Sequence, residues 1–354
     1  MLDSSSTRSR GFGQRTGSRY ELSEHLGSGG MADVYLARDR EIGRSVAIKI
    51  FRLPESPHDE VRHEREIRLL GSLQHPGLVE VYDAGVFLDG DVSRRFVVME
   101  FVDGGALSSR LEKRVALTRR HVADVGAQIA DALAYIHARG IVHRDVKPDN
   151  ILLSDAASLG YTITAKLADF GIAHFVEAAR FTDQNTILGT ANYISPEQAR
   201  GTDVGTASDV YSLGLVLLEA ITGEREFTGT PVEAALARLS RSPDIPGDLP
   251  DDWHDLLTAM TEREPDDRPT AHDVAATMRD LIRSMIMDKR GRRRTRRALR
   301  ASAPRPPRRR ERAPRDGADR AGLSAVGFWT IIATVSVGSI GLGVGLAAGM
   351  HVFG

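Results

Sequence analysis

The chain of 354 residues is long enough to bury a sizeable core and to hold more than one domain or lobe. Its composition, 41% hydrophobic and 27% charged, is that of a globular protein, and the lack of cysteine excludes disulfides and thiolate metal sites. The formal net charge of −1 conceals a division, because residues 285–322 hold 15 Lys and Arg against 4 Asp and Glu, while residues 1–284 sum to −12. An acidic body is therefore joined to a strongly basic segment.

A disordered N-terminus and a glycine-rich turn are the first features that the sequence predicts. Residues 1–19 are rich in Ser, Arg and Gly and predict a disordered N-terminus, without an apolar run of signal-peptide type. Strands are predicted from Tyr20 onward, and a glycine-rich turn between two of them contains Leu26, Gly27, Ser28, Gly29, Gly30 and Val34. Glycines let backbone amides approach phosphate oxygens closely, although such turns are also common without a ligand. No G-K-[ST] follows, so this is not a Walker A loop.

A lysine interrupts the apolar run of the third predicted strand. Lys49 is either an edge-strand lysine that points to solvent or a lysine that reaches nucleotide phosphates. The second role needs a carboxylate partner. The predicted helix at 61–74 offers Glu66, which borders an apolar stripe of Ile67, Leu70 and Leu73. Glu60 and Glu64 are alternatives, but the stripe favours Glu66.

A break in the pattern divides the body into two lobes. Residues 78–102 predict further strands and end in an apolar run that contains Met99. The run Asp103-Gly104-Gly105 interrupts this pattern, so we place the boundary between the lobes there. The backbone from Glu100 to Val102 would then be available to an adenine ring.

The strongest chemical signal is the run His143-Arg144-Asp145-Val146-Lys147-Pro148-Asp149-Asn150, of the form H-R-D-x-K-P-x-N. It places a carboxylate, an ammonium and a carboxamide in one short loop, a set suited to phosphoryl transfer. Asp145 can accept the proton of an attacking hydroxyl, Lys147 can neutralise phosphate charge, and Asn150 can hold a metal ion. A helix with Thr118 as its N-cap precedes the loop, and a short buried strand at 151–153 follows it.

A second aspartate adds another hard oxygen ligand. Residues 154–162 predict a polar loop, and the strand after this loop ends in Asp169-Phe170-Gly171. A simple turn would also bring Asp and Gly together, but Asp169 follows Asn150 across a single predicted hairpin. A carboxylate at this position is suited to Mg²⁺ that bridges phosphates. The hydroxyl-rich stretch 172–194 predicts a mobile loop that a phosphate could order.

The rest of the body predicts a helical lobe. Residues 208–222 form a strongly apolar helix, which we interpret as its buried axis. Glu197 needs a partner if it is buried, and Arg268 is our candidate. A capping box of Thr270 and Asp273 predicts the start of the last helix, which we expect to fade near residue 284.

Two segments of opposite character follow the body. Residues 285–322, rich in Arg and Pro, predict a disordered linker, for which a nucleic-acid arm is the usual alternative. Residues 325–349 carry no charge and suffice for a hydrocarbon core of roughly 30 Å, so we expect a transmembrane segment at 323–353. The basic side would be cytoplasmic and would attract anionic lipid headgroups. A pairing seam for a homodimer would consist of Gly341, Gly345 and Gly349.

These motifs, in this order, resemble the signature set of protein kinases, and residues 20–284 resemble the eukaryotic-like transmembrane Ser/Thr protein kinases of actinobacteria. The resemblance implies an α+β, two-lobed protein-kinase-like fold. Its parts would be a β-rich N-lobe at 20–99, a hinge at 100–104 and an α-rich C-lobe at 105–284. One C-terminal transmembrane helix would anchor the cytoplasmic kinase domain to the plasma membrane.

The resemblance assigns catalytic roles residue by residue. Asp145 would be the catalytic base, and Lys147 would contact the γ-phosphate of ATP. Lys49, paired with Glu66, would hold the α- and β-phosphates. The nucleotide pocket would further consist of Leu26, Gly27, Ser28, Gly29, Gly30, Val34, Ala47, Met99, Glu100 and Val102.

The resemblance also implies cofactors and partners. Asn150 and Asp169 would bind Mg²⁺, for which Mn²⁺ is an expected substitute. Substrates would be Ser and Thr hydroxyls of proteins, including the chain itself, with Thr182 and Thr186 as candidate sites of autophosphorylation. We expect no nucleic-acid partner.

The sequence departs from the family pattern without losing a catalytic group. Ser195 replaces the Ala of A-P-E, Ala32 replaces the third loop glycine, and residues 225–227 stand where prolines are frequent. Two other functions remain open. One is a pseudokinase scaffold, against which the intact Lys49 and Asp145 argue. The other is a small-molecule phosphotransferase of related fold, against which the segment from Ser195 to Arg268 argues.

Overall fold

The computed structural model describes residues 19–29, 32–52, 68, 71–89, 92–113, 117–154, 161–169 and 192–302. Residues 20–100 contain a five-stranded antiparallel sheet with the strand order β1-β2-β3-β5-β4. The strands are β1 (Tyr20–Ser28), β2 (Ala32–Asp39), β3 (Arg44–Phe51), β4 (Val81–Asp89) and β5 (Val92–Glu100). Because β3 is the middle strand, the edge-strand explanation of Lys49 is wrong.

Successive side chains of β3 lie on opposite faces of the sheet. Val46, Ile48 and Ile50 belong to a buried cluster with Tyr20, Leu22, Tyr35, Ala37, Phe87, Phe96 and Val98. Since successive side chains of a strand point to opposite faces, Ala47 and Lys49 lie on the other face. The lysine is thereby directed away from the core of the sheet.

Helices and one short hairpin form the second half. The hairpin pairs β6 (Ile151–Ser154) with β7 (Thr164–Leu167). The helices are α1 (Leu107–Glu112), α2 (Arg119–His137), α3 (Pro196–Arg200), α4 (Thr206–Thr222), α5 (Pro231–Ser240), α6 (Asp251–Met260) and α7 (Ala271–Ser302). The β-rich and helix-rich halves confirm the two-lobed, α+β architecture.

The predicted helical axis α4 and the predicted N-cap of α2 are confirmed. Residues 208–220 of α4 are all buried, and the Thr118 hydroxyl accepts the His121 N–H at 3.2 Å at the start of α2. A Cβ added to Gly126 of α2 would lie 3.0 Å from the Met278 side chain of α7 and 3.2 Å from Leu217 of α4. The glycine therefore permits the close approach of these three helices.

One of the two predicted ends of the body was wrong. The predicted start at Tyr20 coincides with the start of β1, and Arg19 just before it forms an ion pair of its Nη2 with Asp39 Oδ2 at 3.1 Å. The last helix does not fade near 284, because α7 continues through the first part of the predicted linker to Ser302. Arg, Lys, Met and Leu are good helix formers, and no proline occurs between Ala271 and Pro304.

Several predictions fall on residues outside those described. They concern Gly30 of the glycine turn, the Glu66 partner of Lys49, the acceptor residues Thr182 and Thr186, and the apolar segment 323–353 with its glycine seam. Among the residues that the structure describes, no helix combines the length and apolarity needed to cross a bilayer.

Candidate active site

A buried carboxylate at the start of α4 holds the H-R-D loop. Asp209 accepts the backbone N–H groups of His143 at 2.8 Å and of Arg144 at 2.7 Å. It also contacts Nε2 of His137, on α2, at 2.8 Å. Sequence reasoning did not assign this role to Asp209. The available signal was an acidic residue in the first turn of a helix whose surroundings are apolar.

The backbone of Arg144 adopts a strained conformation that contacts with other residues must hold in place. Its φ of 67° lies in the left-handed region, which costs a non-glycine residue on the order of 1–3 kcal/mol. Asp209 fixes the N–H of this residue, and Gln198 Nε2 donates to its carbonyl at 2.9 Å. These two contacts hold the turn that presents Asp145.

His143 connects this loop to β7 and is neutral. The carbonyl of Ala168 can only accept, so Nε2 of His143 donates to it at 3.1 Å. The N–H of Asp145 can only donate, so Nδ1 of His143 accepts it at 3.3 Å. Burial lowers the pKa of His143 against the opposing charges of Asp209, Asp145 and Asp169.

The two oxygens of Asp145 have different surroundings. Oδ2 contacts the Lys147 ammonium at 2.8 Å and accepts from Asn150 Nδ2 at 3.0 Å. Oδ1 is buried and has no hydrogen-bond partner among the described residues. A buried carboxylate oxygen without a partner is costly, and it is the arrangement that a base for a substrate hydroxyl requires. Asn150 Nδ2 also donates to the Asp145 carbonyl, at 2.8 Å, which leaves its amide oxygen for a metal ion.

The second predicted metal ligand, Asp169, lies two residues after the end of β7. Ala168 donates its N–H to the Asn150 carbonyl at 2.8 Å, so Asn150 and Asp169 are neighbours. Asp169 has a φ of 51°, a second left-handed residue at this site. Its Oδ1 pairs with Lys49 Nζ at 2.9 Å, and the Lys49 ammonium holds the pKa of Asp169 below its ordinary value. Amide and carboxylate oxygens are the donors that Mg²⁺ prefers, so these residues fit the ion.

Several residues predicted to bind the nucleotide lie on the strands next to Lys49. Gly27 pairs with Val34, and Ala47 pairs with Met99 across β3 and β5. A Cβ added to Gly27 would meet no atom of the described residues within 4 Å, so none of these residues covers the backbone there. An uncovered glycine backbone is the feature that phosphate binding by main-chain amides requires.

The remaining pocket residues lie beside these strands. Leu26 and Ser28 belong to β1, Gly29 donates its N–H to the Ala32 carbonyl at 2.9 Å, and Val102 is buried just after β5. The Glu100 side chain pairs with Lys166 Nζ at 2.7 Å, a contact that sequence reasoning missed. Only the backbone of Glu100 would therefore serve a ligand.

The predicted pair of Glu197 and Arg268 is confirmed and buried. Arg268 donates to both Glu197 oxygens, at 2.7 and 2.9 Å. Its other donors reach the carbonyls of Glu262, Ala207 and Arg263 at 2.7 to 3.0 Å. All five guanidinium N–H groups are thus engaged, which fixes α3 to the end of α6.

With this geometry in view, comparison with known proteins identifies the class. Residues 20–296 match the family model described as "Protein kinase domain". The chain therefore belongs to the protein kinase family.

Curated relatives place it more narrowly within the family. The chain is 39% identical over 252 residues to serine/threonine-protein kinase PknA of Mycobacterium tuberculosis, covering 70% of this chain and 57% of PknA. It is 40% identical over 275 residues to serine/threonine-protein kinase PknB of the same organism, covering 75% of this chain and 42% of PknB. The chain spans about half the length of the curated relatives it matches.

Proposed function

We propose that the chain is an ATP-dependent serine/threonine protein kinase. The observation that carries the proposal is the convergence of Asp145, whose Oδ1 has no partner among the described residues, with Asn150 and the Lys49–Asp169 pair. The names of PknA and PknB support the serine/threonine specificity. Substrates would be protein hydroxyls, including those of Thr182 and Thr186.

Each residue would act by position and charge. The Oδ1 atom of Asp145 accepts the proton of the attacking hydroxyl, while Lys147 and Asn150 hold Oδ2 in a fixed orientation. Lys49 neutralises charge where the α- and β-phosphates of ATP would lie. Mg²⁺, or Mn²⁺ in its place, would be held by Asn150 and Asp169 and would neutralise charge that develops on the transferred phosphoryl group.

Two parts of the proposed nucleotide site, Glu66 and Gly30, are inferred from the sequence alone. Glu66 would hold Lys49 in its working position, and Gly30 would complete the turn of Leu26, Gly27, Ser28 and Gly29. The adenine would contact Val34, Ala47, Met99 and the backbone of Glu100 and Val102.

Asp145→Asn gives the direct test of the reaction. Asparagine keeps the bonds of the loop but cannot accept the hydroxyl proton, so phosphate transfer from Mg²⁺-ATP to a Ser/Thr-containing protein should fall about a hundredfold or more. Asp252→Asn on the exposed surface of α6 is the matched control. Wild-type turnover in Asp145→Asn would contradict the assignment. Turnover in neither protein would favour a scaffold, and preference for a metabolite would favour a small-molecule phosphotransferase.

Membrane attachment is a separate part of the proposal. The uncharged stretch 325–349 supports a single span at 323–353, with the kinase domain cytoplasmic. The 15 basic residues of 285–322 would add attraction to anionic headgroups of about 1 kcal/mol each near the surface. The anchor would also concentrate the chain and favour phosphorylation between copies, with Gly341 and Gly345 in a pairing seam.

Vesicle experiments test the anchor. The full chain should remain on phosphatidylcholine vesicles at high salt, whereas a chain without residues 323–354 should bind only vesicles that contain phosphatidylserine, and only at low salt. Equal autophosphorylation of both chains on vesicles would contradict the role of the anchor. Replacement of Gly341 and Gly345 by Leu should reduce pairing of the full chain.

A further inference from the structure

A carboxylate on α2 contacts two separate parts of the molecule. Asp131 Oδ1 accepts a hydrogen bond from Nη2 of Arg279 on α7. Asp131 Oδ2 lies 3.6 Å from Nε2 of His75, in the loop that precedes β4. Asp131 therefore links the C-terminal helix to a loop of the N-terminal half.

The loop around His75 is fixed on α2. His75 Nδ1 accepts the N–H of Gly77 at 3.1 Å, so the Nε2 atom carries the hydrogen and faces Asp131. The His75 ring packs on Tyr135 at a centroid distance of 5.0 Å, and the hydroxyl of that tyrosine accepts the Gln74 N–H at 3.1 Å. A Cβ at Gly77 would lie 2.8 Å from a backbone carbonyl of α2, so the loop has no room to shift toward the helix.

The same loop pairs with the end of β7. Leu167 donates its N–H to the Gly77 carbonyl at 2.8 Å, and Val79 donates its N–H to the Leu167 carbonyl at 3.0 Å. Leu167 is the last residue of β7 and lies two residues before Asp169. A shift of the loop therefore shifts the strand end that sets the position of the Asp169 carboxylate.

Arg279 also contacts the segment that leads into β7. The Tyr161 side chain lies close enough to its guanidinium to raise, together with Asp131, the pKa of Arg279 against the effect of burial. Tyr161 comes three residues before β7 begins at Thr164. Arg279 thus reaches β7 by two routes, through the His75 loop at its end and through Tyr161 at its beginning.

We propose that Arg279 is a positioning residue for Asp169, acting through Asp131 and His75 rather than by contact with ATP. The proposal rests on the proposed function only in the role given to Asp169. Because α7 continues through basic sequence to Ser302, a displacement of its far end would reach the site through Arg279.

The test is a double-mutant cycle on the full chain with Arg279→Gln and Asp131→Asn. Each variant should lower kcat/KM for Mg²⁺-ATP about threefold or more and leave KM for the protein substrate unchanged. The loss in the double variant should be smaller than the sum of the two single losses, because both variants remove the Arg279–Asp131 contact. Arg283→Gln is the matched control, since Arg283 lies one turn further along α7 and pairs with Asp280 at the surface. Arg279→Lys should recover part of the loss.

Hydrogen exchange separates this proposal from the proposed function. In Arg279→Gln the amide protons of Leu167 and Val79 should exchange faster, with no change in Arg283→Gln, whether or not the wild type turns over ATP. Additive losses in the cycle, an equal loss in Arg283→Gln, or unchanged exchange at these amides would overturn the positioning role. A wild type without ATP turnover, but with the expected exchange, would overturn the proposed function alone.

Discussion

Replacement of Asp209 by Asn tests whether one buried carboxylate holds the catalytic loop. The Asp209 side chain is 1% exposed and contacts the N–H groups of His143 and Arg144 and the His137 ring at 2.7–2.8 Å. Asparagine has nearly the same volume, but it replaces one acceptor oxygen by an NH₂ donor. In either orientation of the amide, at least one donor then faces another donor.

The size of the effect follows from these contacts. Loss of one charge-assisted hydrogen bond, together with a buried N–H left unsatisfied, costs about 2–4 kcal/mol. The left-handed Arg144 stores about 1–3 kcal/mol that the Asp209 contact holds in place, so the loop should relax. We expect the melting temperature to fall by roughly 5 °C or more. Displacement of Asp145 should lower kcat about tenfold or more even in the folded fraction.

Calorimetry measures the expected fall in melting temperature, and steady-state kinetics measures the expected fall in kcat. The kinetics are measured at a temperature at which each variant remains folded. Asp255→Asn is the control, because that side chain is 84% exposed and should change neither quantity. A melting temperature within about 1 °C of the wild type, together with an unchanged kcat, would refute the reasoning that Asp209 holds the loop.

Further predictions concern the Lys49 ammonium, the Glu197–Arg268 ion pair and the pH dependence of stability. Lys49→Met removes the ammonium that lowers the pKa of Asp169, and ATP turnover should fall about a hundredfold with an unchanged circular dichroism melt. Arg268→Met leaves Glu197 buried without its partner and should cost about 3–5 kcal/mol in urea unfolding, while adding Glu197→Gln should restore part of the loss. Because burial depresses the pKa of His143, the unfolded chain binds a proton that the native state does not. Stability should therefore fall as the pH drops below about 6.5, with a smaller slope in His143→Gln.

Local patterns were sufficient to predict most elements of the site. The H-R-D-x-K-P-x-N run fixes the order of Asp145, Lys147 and Asn150 within eight residues, so a loop between a helix and a strand necessarily brings them together. Asp169 could be placed next to Asn150 because a single hairpin, β6 and β7, connects them. In both cases the sequence separation is short and the turn geometry determines the neighbours.

The supporting contacts depend on long-range packing and could not be predicted in the same way. Asp209 is 66 residues from His143, and only the packing of α4 against α2 brings it under the loop. Arg279 is 148 residues from Asp131. The extension of α7 to Ser302 was missed because an arginine-rich composition without apolar periodicity indicates disorder, although arginine itself favours helix.

Phosphosite mass spectrometry on the chain incubated with Mg²⁺-ATP tests the central claim most directly, with the Asp145→Asn variant treated in parallel. An active serine/threonine kinase that modifies itself should carry phosphate on Thr182 or Thr186 in the wild type alone. Phosphate at the same positions and levels in Asp145→Asn, or none in either protein, would contradict the account.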